Sequence, residues 1–309
     1  MEIPLTRFHG IVPPVLTPFA PDGSVDVESL RRLVDHLIDH HVDGLFVLGS
    51  SGQVAYLTDD ERQTVIATVV ERAARRVPVL VGAPDFTARR VADQGRRAEA
   101  AGADAIVATS PMYALNDAAE IGRHFRMIGA AVSVPVFAYD VPIRVHHKLE
   151  TELLIALGSD GVIAGVKDSS GDDGAFAELL AANVEAGHPL TLLTGHEVKC
   201  DEMFRAGADG AVPGLANVDP AGYVHLWNAA QRSDWPAVHA EQDRLKRLFD
   251  IVSVPNGRSA DTSGIGAFKA ALVCLGVLDS GSMPAPLSHL EDDEVRQIEA
   301  ILDDVGLRV

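Results

Sequence analysis

Short apolar runs alternate along this chain with longer stretches whose apolar residues recur at helical spacing. The runs are Ile11–Phe19, Gly44–Gly49, Pro78–Gly82, Ala105–Ser110, Pro135–Tyr139, Ile163–Lys167, Leu190–Thr194 and Gly210–Leu215. Each has strand length, and successive runs start about one βαβ unit apart, ~30 residues. This rhythm predicts a parallel sheet covered by helices. Eight such units match a closed (β/α)8 TIM barrel, of the α/β class, better than an open doubly wound sheet.

The helices carry their own stop and start signals. Thr58-Asp59-Asp60-Glu61 reads as a capping box, followed by Val65, Ile66, Val69 and Val70 at helical spacing. Ala100–Asp104 and Arg205–Gly210 each end a helix with glycine near C′ and lead into the next strand. From Ser233 onward only helices are expected, at Pro236–Val252, Gly264–Leu275 and Asp292–Asp303, with a loop at Val254–Asp261. The sequence therefore predicts a catalytic barrel over 1–232 and a helical appendage over 233–309.

Charge and composition narrow the function. A net charge of −18 argues against a nucleic-acid partner, which would need clustered Lys and Arg. Cys200 and Cys274 stand far apart with no disulfide framework, which fits a reducing compartment. Met1–Arg7 lacks a basic segment leading into an apolar one, so no signal peptide is expected. No apolar run approaches the ~20 residues of a membrane helix. A cytoplasmic enzyme without a membrane partner is the expectation.

Lysine occurs only as Lys148, Lys167, Lys199, Lys246 and Lys269. Lys167 closes the apolar run Val162–Val166, at the C-terminal end of the sixth strand, where barrels hold their active sites. Alternation puts Ile163, Gly165 and Lys167 on one face. If that face is the lumen, desolvation favours the neutral amine, the form that attacks a ketone. The plain alternatives are a rim lysine paired with Asp168 or a lysine on the outer face.

Other strand ends add to this. Leu48-Gly49-Ser50-Ser51-Gly52 ends the second strand, Tyr139-Asp140-Val141-Pro142-Ile143-Arg144 the fifth, and Gly165-Val166-Lys167-Asp168 the sixth. With Pro14–Phe19 in the first strand and Ala216–Pro220 after the eighth, the chain resembles the dihydrodipicolinate synthase/N-acetylneuraminate lyase family over nearly its whole length. That resemblance implies Lys167 as the Schiff-base lysine and Tyr139 as the phenol that shuttles protons. It implies Ser50 and Ser51, flanked by Gly49 and Gly52, as the turn that holds the pyruvate carboxylate, with Ser50 relaying a proton to Tyr139. Tyr113 matches a tyrosine that reaches into a neighbouring subunit's site, so a homo-oligomer is expected: a dimer or a dimer of dimers. The physical reading agrees: glycines let the backbone approach a small anion, and a phenol beside a hydroxyl relay can exchange protons where charge develops.

Two residues depart from the family's pattern. Gln53 stands where many members have Glu, and Asp140 where they have Asn; both are expected to alter polarity at the mouth. Arg144 occupies the position of an arginine that meets the carboxylate of aspartate semialdehyde in the synthases. A guanidinium suits any bidentate anion; the structural alternative pairs Arg144 with Asp140 or Asp168. His196 and Gly195, after the seventh strand, are expected at the substrate. His146 and His147 lie near the mouth, and His36 and His40 read as a solvated face. Lys269 reads as structural. No cluster has zinc spacing and no Gly-x-Gly-x-x-Gly opens a helix after the first strand, so no metal or nicotinamide cofactor is expected.

The resemblance implies a lyase that makes or breaks a C–C bond between pyruvate, or another 2-oxo acid, and an aldehyde. Gln53 and Asp140 tilt the expectation toward a 2-oxo-3-deoxy sugar-acid aldolase over dihydrodipicolinate synthase. A dehydratase working through the same imine, a metal- or phosphate-binding barrel enzyme, and a non-catalytic oxo-acid sensor are the alternatives.

Overall fold

A computed structural model describes residues 8–308. The terminal stretch Met1–Arg7, on which the signal-peptide expectation rests, lies outside the described residues. In chain order the elements are β1 (Gly10–Ile11), α1 (Val27–Asp39), β2 (Leu45–Val47), α2 (Asp59–Ala73), β3 (Val79–Gly82), α3 (Ala88–Ala100), β4 (Ala105–Thr109) and α4 (Ala118–Gly129). There follow β5 (Val136–Asp140), α5 (Pro142–Val145), α6 (Thr151–Ser159), β6 (Gly165–Asp168), α7 (Asp173–Glu185), β7 (Thr191–Thr194), α8 (Cys200–Ala206), β8 (Gly210–Ala211) and α9 (Pro220–Gln231). The last helices are α10 (Trp235–Phe249), α11 (Ala260–Cys274) and α12 (Asp292–Asp304).

The eight strands are parallel and ordered β1-β8-β7-β6-β5-β4-β3-β2. The circle closes through the chain just after β1. Val15 N–H donates to Phe46 O at 2.8 Å, and Phe46 N–H to Pro13 O at 3.0 Å. The fold is thus the (β/α)8 TIM barrel with C-terminal helices. The first strand is far shorter than the run Ile11–Phe19 because Pro13, Pro14 and Pro18 have no N–H to give a ladder. Similarly, β2 stops at Val47 because Leu48 turns left-handed, with φ 57°.

Two apolar clusters show which way the strands face. One packs the sheet against the helices. The other fills the lumen with Phe8, Val12, Phe46, Leu80, Val107, Phe137, Leu193 and Val212, and Tyr139 tops it. Gly165 has its place here: a Cβ on it would meet the Phe137 ring at 2.3 Å and Thr191 O at 2.5 Å. Ile163 belongs instead to the sheet–helix cluster, so it does not share the lumen face with Lys167. Alternation begins only where the strand does, at Gly165.

The capping box of α2 forms as expected, with Thr58 Oγ accepting from Glu61 N–H and Glu61 accepting from Thr58 N–H. Helix α11 starts about a turn before the expected Gly264, because Ser259 caps it by accepting from Thr262 N–H at 3.2 Å. Asp261 therefore lies in a helical first turn rather than in a loop. The C-terminal helices bind the barrel through a buried polar contact as well as apolar packing. Lys269, fully buried on α11, donates to Gln53 Oε1 at 2.7 Å and to Ser282 O at 3.0 Å, above the Phe19 ring. Burial holds the Lys269 ammonium well below its ordinary pKa.

Candidate active site

The register of the central strands brings the first two residues together. Tyr139 on β5 is the direct neighbour of Lys167 on β6, and Asp140 of Asp168 one step further. Side chains alternate, so Tyr139 and Lys167 face the lumen while the two aspartates face away from it. The Lys167 Nζ sits 4.2 Å from the Tyr139 ring centroid and 4.7 Å from that of Phe46, and the residue is 6% exposed. Aromatic rings surround it, and no carboxylate among the described residues pairs with it. The pairing of Lys167 with Asp168 weighed from sequence does not form.

The Tyr139 hydroxyl lies 3.4 Å from Ser50 Oγ, in the turn after β2. Burial alone would raise the phenol's pKa. The Lys167 charge and hydrogen bonding from Ser50, Ser169 and Lys167 outweigh it, and Tyr139 is held below its ordinary value. The turn is bent by left-handed Leu48 and Gln53 at either end. A Cβ on Gly49 would meet the Phe46 ring at 2.6 Å, and one on Gly52 would crowd Val15 O at 3.1 Å. Thr17 Oγ donates to Gly52 O at 2.7 Å, so the Pro14–Phe19 segment steadies the turn from below. Asn217 completes the frame by accepting from Leu16 N–H and donating to Pro14 O.

Two cavities open at this end of the barrel. One, of about 560 Å³, is lined by Ser50, Tyr139, Thr109 and the apolar Val107, Met112 and Val141. The other, of about 750 Å³, runs between the barrel mouth and the C-terminal helices, past Ser50, Ser51, Glu197 and Phe268. Arg144 and Asp261 line both.

Arg144 does not pair with Asp140 or Asp168. Its guanidinium grips the Asp261 carboxylate with both terminal nitrogens, at 3.1 Å for one and closer for the other. Tyr56 Oη donates to the same carboxylate at 3.4 Å. The aspartates lie behind the sheet instead: Lys148 bonds Asp140 and stands 3.8 Å from Asp168. Burial raises both carboxyls above the usual range, and each is pushed or eased by the other and by Lys148. Asp140 therefore does not change polarity at the mouth, contrary to expectation, because its place on β5 points it outward. Gln53 likewise spends its amide oxygen on Lys269.

Gly195 follows β7 where a side chain has no room: a Cβ there would lie 2.1 Å from Ser169 Oγ. The His196 ring turns to α7, its Nδ1 2.6 Å from Asp173, which also receives Lys199. Its neighbour Glu197 lines the larger cavity. Burial pushes the Glu197 carboxyl up to about 7, against the lowering pull of Leu215 N–H, which donates at 2.6 Å, and of Lys167. Tyr113 stands apart, 92% exposed with φ 70°, its ring 6.5 Å from that of Phe86. His36 and His40 stack edge to face, and no group of three His, Cys, Asp or Glu among the described residues could hold a metal ion.

Sequence reasoning passed over Asp261, Tyr56 and Thr109. Thr109 could have been found, since it ends β4 on the lumen face beside Tyr139, and its hydroxyl is buried without a partner among the described residues. Asp261 carries no local signal. It meets Arg144 across 117 positions of sequence.

Comparison with known proteins agrees with this architecture. An uncharacterized DapA-like lyase of Halobacterium salinarum is 34% identical over 299 residues, 97% of this chain and 94% of that protein. YagE of Escherichia coli, whose name assigns it provisionally as a 2-dehydro-3-deoxy-D-gluconate aldolase, is 31% identical over 302 residues, 97% of this chain and 98% of its own. The YagE structure, solved in complex with pyruvate, superposes with a TM-score of 0.91 over 97% of this chain and 99% of that one, at 29% identity. The dihydrodipicolinate synthase of Bacteroides thetaiotaomicron gives 0.91 at 31% identity, over 98% of this chain and all of its own. No helix among the described residues is long and apolar enough to cross a membrane. The sequence pattern of the dihydrodipicolinate synthetase family matches residues 7–305, and the chain belongs to that family, whose members are lyases of the aldolase and synthase kind.

Proposed function

We propose that this lyase works through a Schiff base on Lys167 and joins pyruvate reversibly to an aldehyde, as a 2-oxo-3-deoxy sugar-acid aldolase. The observation that carries the reading is the lumen trio: the Lys167 amine against the Tyr139 ring, with the Tyr139 hydroxyl beside Ser50. Lys167 adds to the pyruvate ketone, and loss of water leaves an iminium. Removal of a methyl proton gives the enamine, whose carbon attacks the aldehyde. Tyr139 protonates the oxygen that becomes a hydroxyl, and water then releases the product and restores the amine. Cleavage is the same path reversed. A phenol held below its ordinary pKa suits a group that must both give and take this proton. Ser50 and Ser51, with the close backbone approach that Gly49 allows, receive the pyruvate carboxylate, and Gly195 lets Ser169 pack close behind Lys167's strand.

YagE and the dihydrodipicolinate synthase of Bacteroides thetaiotaomicron fit equally well, and the engagement of Arg144 by Asp261 is what supports the sugar-acid reading. Tyr113 fits a role in assembly: an exposed aromatic beside Phe86 and Leu115 is a surface for a second copy, through which it would enter the neighbour's site. Sedimentation should find at least a dimer as the active species; a fully active monomer at assay concentration would remove this role.

Pyruvate with borohydride tests the imine. A single peptide, the one holding Lys167, should gain the mass of a reduced pyruvyl group. Label on another lysine, or none, overturns the mechanism.

A further inference from the structure

The larger cavity runs from Ser50 and Ser51 to Arg144 and Asp261, open to the part of a substrate beyond the pyruvyl unit, and its guanidinium already has a partner. Arg144 is the cation on its wall, and Asp261 takes the terminal nitrogens of that guanidinium as a carboxylate ligand would. Asp261 is partly buried, its side chain 17% exposed, and Tyr56 donates to the Oδ2 that one Arg144 nitrogen also reaches. Glu197 adds a further carboxyl to the same wall. An anionic guest would have to displace Asp261 from Arg144 and then stand beside two carboxyls. A hydroxyl-bearing chain meets no such conflict: it can accept from the remaining guanidinium N–H groups and donate to Asp261 or Glu197.

We propose that Asp261, at the start of α11, sets the specificity of the aldehyde site: by occupying Arg144 it selects a neutral, hydroxylated aldehyde and rejects carboxylated or phosphorylated ones. The inference rests on the imine reading above. It also gives the C-terminal helices a part in substrate choice, since the selecting residue belongs to α11 while the guanidinium belongs to the segment after β5. Selection of this kind works by removing the anion's partner and adding repulsion.

The test measures kcat/KM with pyruvate for glyceraldehyde, glyceraldehyde 3-phosphate and succinate semialdehyde, in the parent, in Asp261→Asn and in Asp261→Asn combined with Arg144→Met. Borohydride trapping of the pyruvate imine is run on each. The parent should prefer glyceraldehyde. Asp261→Asn, which keeps the side chain's shape, should shift the anionic-to-neutral ratio by about ten- to a hundredfold toward the anions, the range of a hydrogen bond to a charged group. Removing Arg144 as well should erase that gain. A parent without a trappable imine overturns the imine reading and this inference with it. A trappable imine with a parent that prefers an anionic aldehyde, a ratio unmoved in Asp261→Asn, or a gain that survives loss of Arg144 overturns the inference alone. The parent's own preference decides the matter if Asp261→Asn fails to fold.

Discussion

Tyr139 and Lys167 share two neighbouring strands with Asp140 and Asp168, each aspartate one residue further on. On the lumen side an ammonium lies against two aromatic rings, and a phenol reaches a serine hydroxyl. On the outer side two carboxyls gather around Lys148, with Leu149 N–H donating to Asp140 and Ser170 to Asp168. The outer group is the more elaborately bonded of the two, yet its bonds are all satisfied within the chain. The lumen group is sparsely bonded and borders open cavities. A fully partnered cluster holds strands and loops in place, whereas a cluster with little to bind but a guest is built for chemistry.

The largest expected effect breaks this comparison at Lys167. Lys167→Arg keeps a long basic side chain but supplies no nucleophile, so turnover should fall to background while circular dichroism and melting stay close to those of the parent. Asp168→Asn, its outward neighbour, should keep turnover within about tenfold of the parent, a cost of about 1.4 kcal/mol or less in the barrier. If both variants were equally dead, the outer group would belong to the reaction and the division by strand face would be wrong.

Next in size is Tyr139→Phe. Loss of the phenolic proton should slow turnover by about 10²–10⁴, the usual span for a general acid–base group, while borohydride still traps pyruvate on Lys167. Asp140→Asn should leave both steps nearly intact. Near-normal turnover in Tyr139→Phe would hand the proton to another group, with Ser50 the first to suspect from its 3.4 Å approach.

Much of this division was legible in the sequence, because strand alternation is local. A lysine closing an apolar run, a tyrosine in the same place one strand earlier, and a glycine–serine turn each declare themselves within a few residues. What alternation cannot supply is the partner on the far side of a fold. Nearness in sequence points Arg144 at Asp140 or Asp168, yet a helix that begins at Ala260 delivers Asp261 instead. That start was hidden because Ser259, Ala260 and Asp261 read as the end of a loop although Ser259 is the cap. Gln53 raised the same difficulty, its partner Lys269 being 216 positions away. His196 and Glu197 show a finer limit. They are adjacent, and only the turn geometry after β7 decides that the first meets Asp173 while the second meets the cavity.

The smallest effect asks which face makes stability depend on pH. Glu197 borders the lumen side, and burial raises its folded pKa to about 7, above the value of about 4.3 for a glutamate free in water. Between those values the folded chain keeps a proton that the unfolded chain releases. The group's contribution is therefore complete below the unfolded pKa and is lost as pH rises through about 7. Glu197→Gln removes that titration, and an amide oxygen can still accept from Leu215 N–H. The variant should match the parent near pH 4 and exceed it near pH 8.5 by about 1–3 kcal/mol in denaturant unfolding, since each tenfold change in proton affinity is worth about 1.4 kcal/mol. Asp168, on the outer side, is also raised, by burial first and then by Asp140. Its replacement by Asn should flatten the same limb of the curve at lower pH, where a carboxyl less raised than Glu197 gives up its proton. A stability curve that still falls between about pH 4 and pH 7 in Glu197→Gln but flattens there in Asp168→Asn would put the pH dependence behind the sheet. It would also free Glu197 to be ionised in the cavity beside Arg144 and Asp261, where a second full negative charge would strengthen the exclusion of anionic aldehydes.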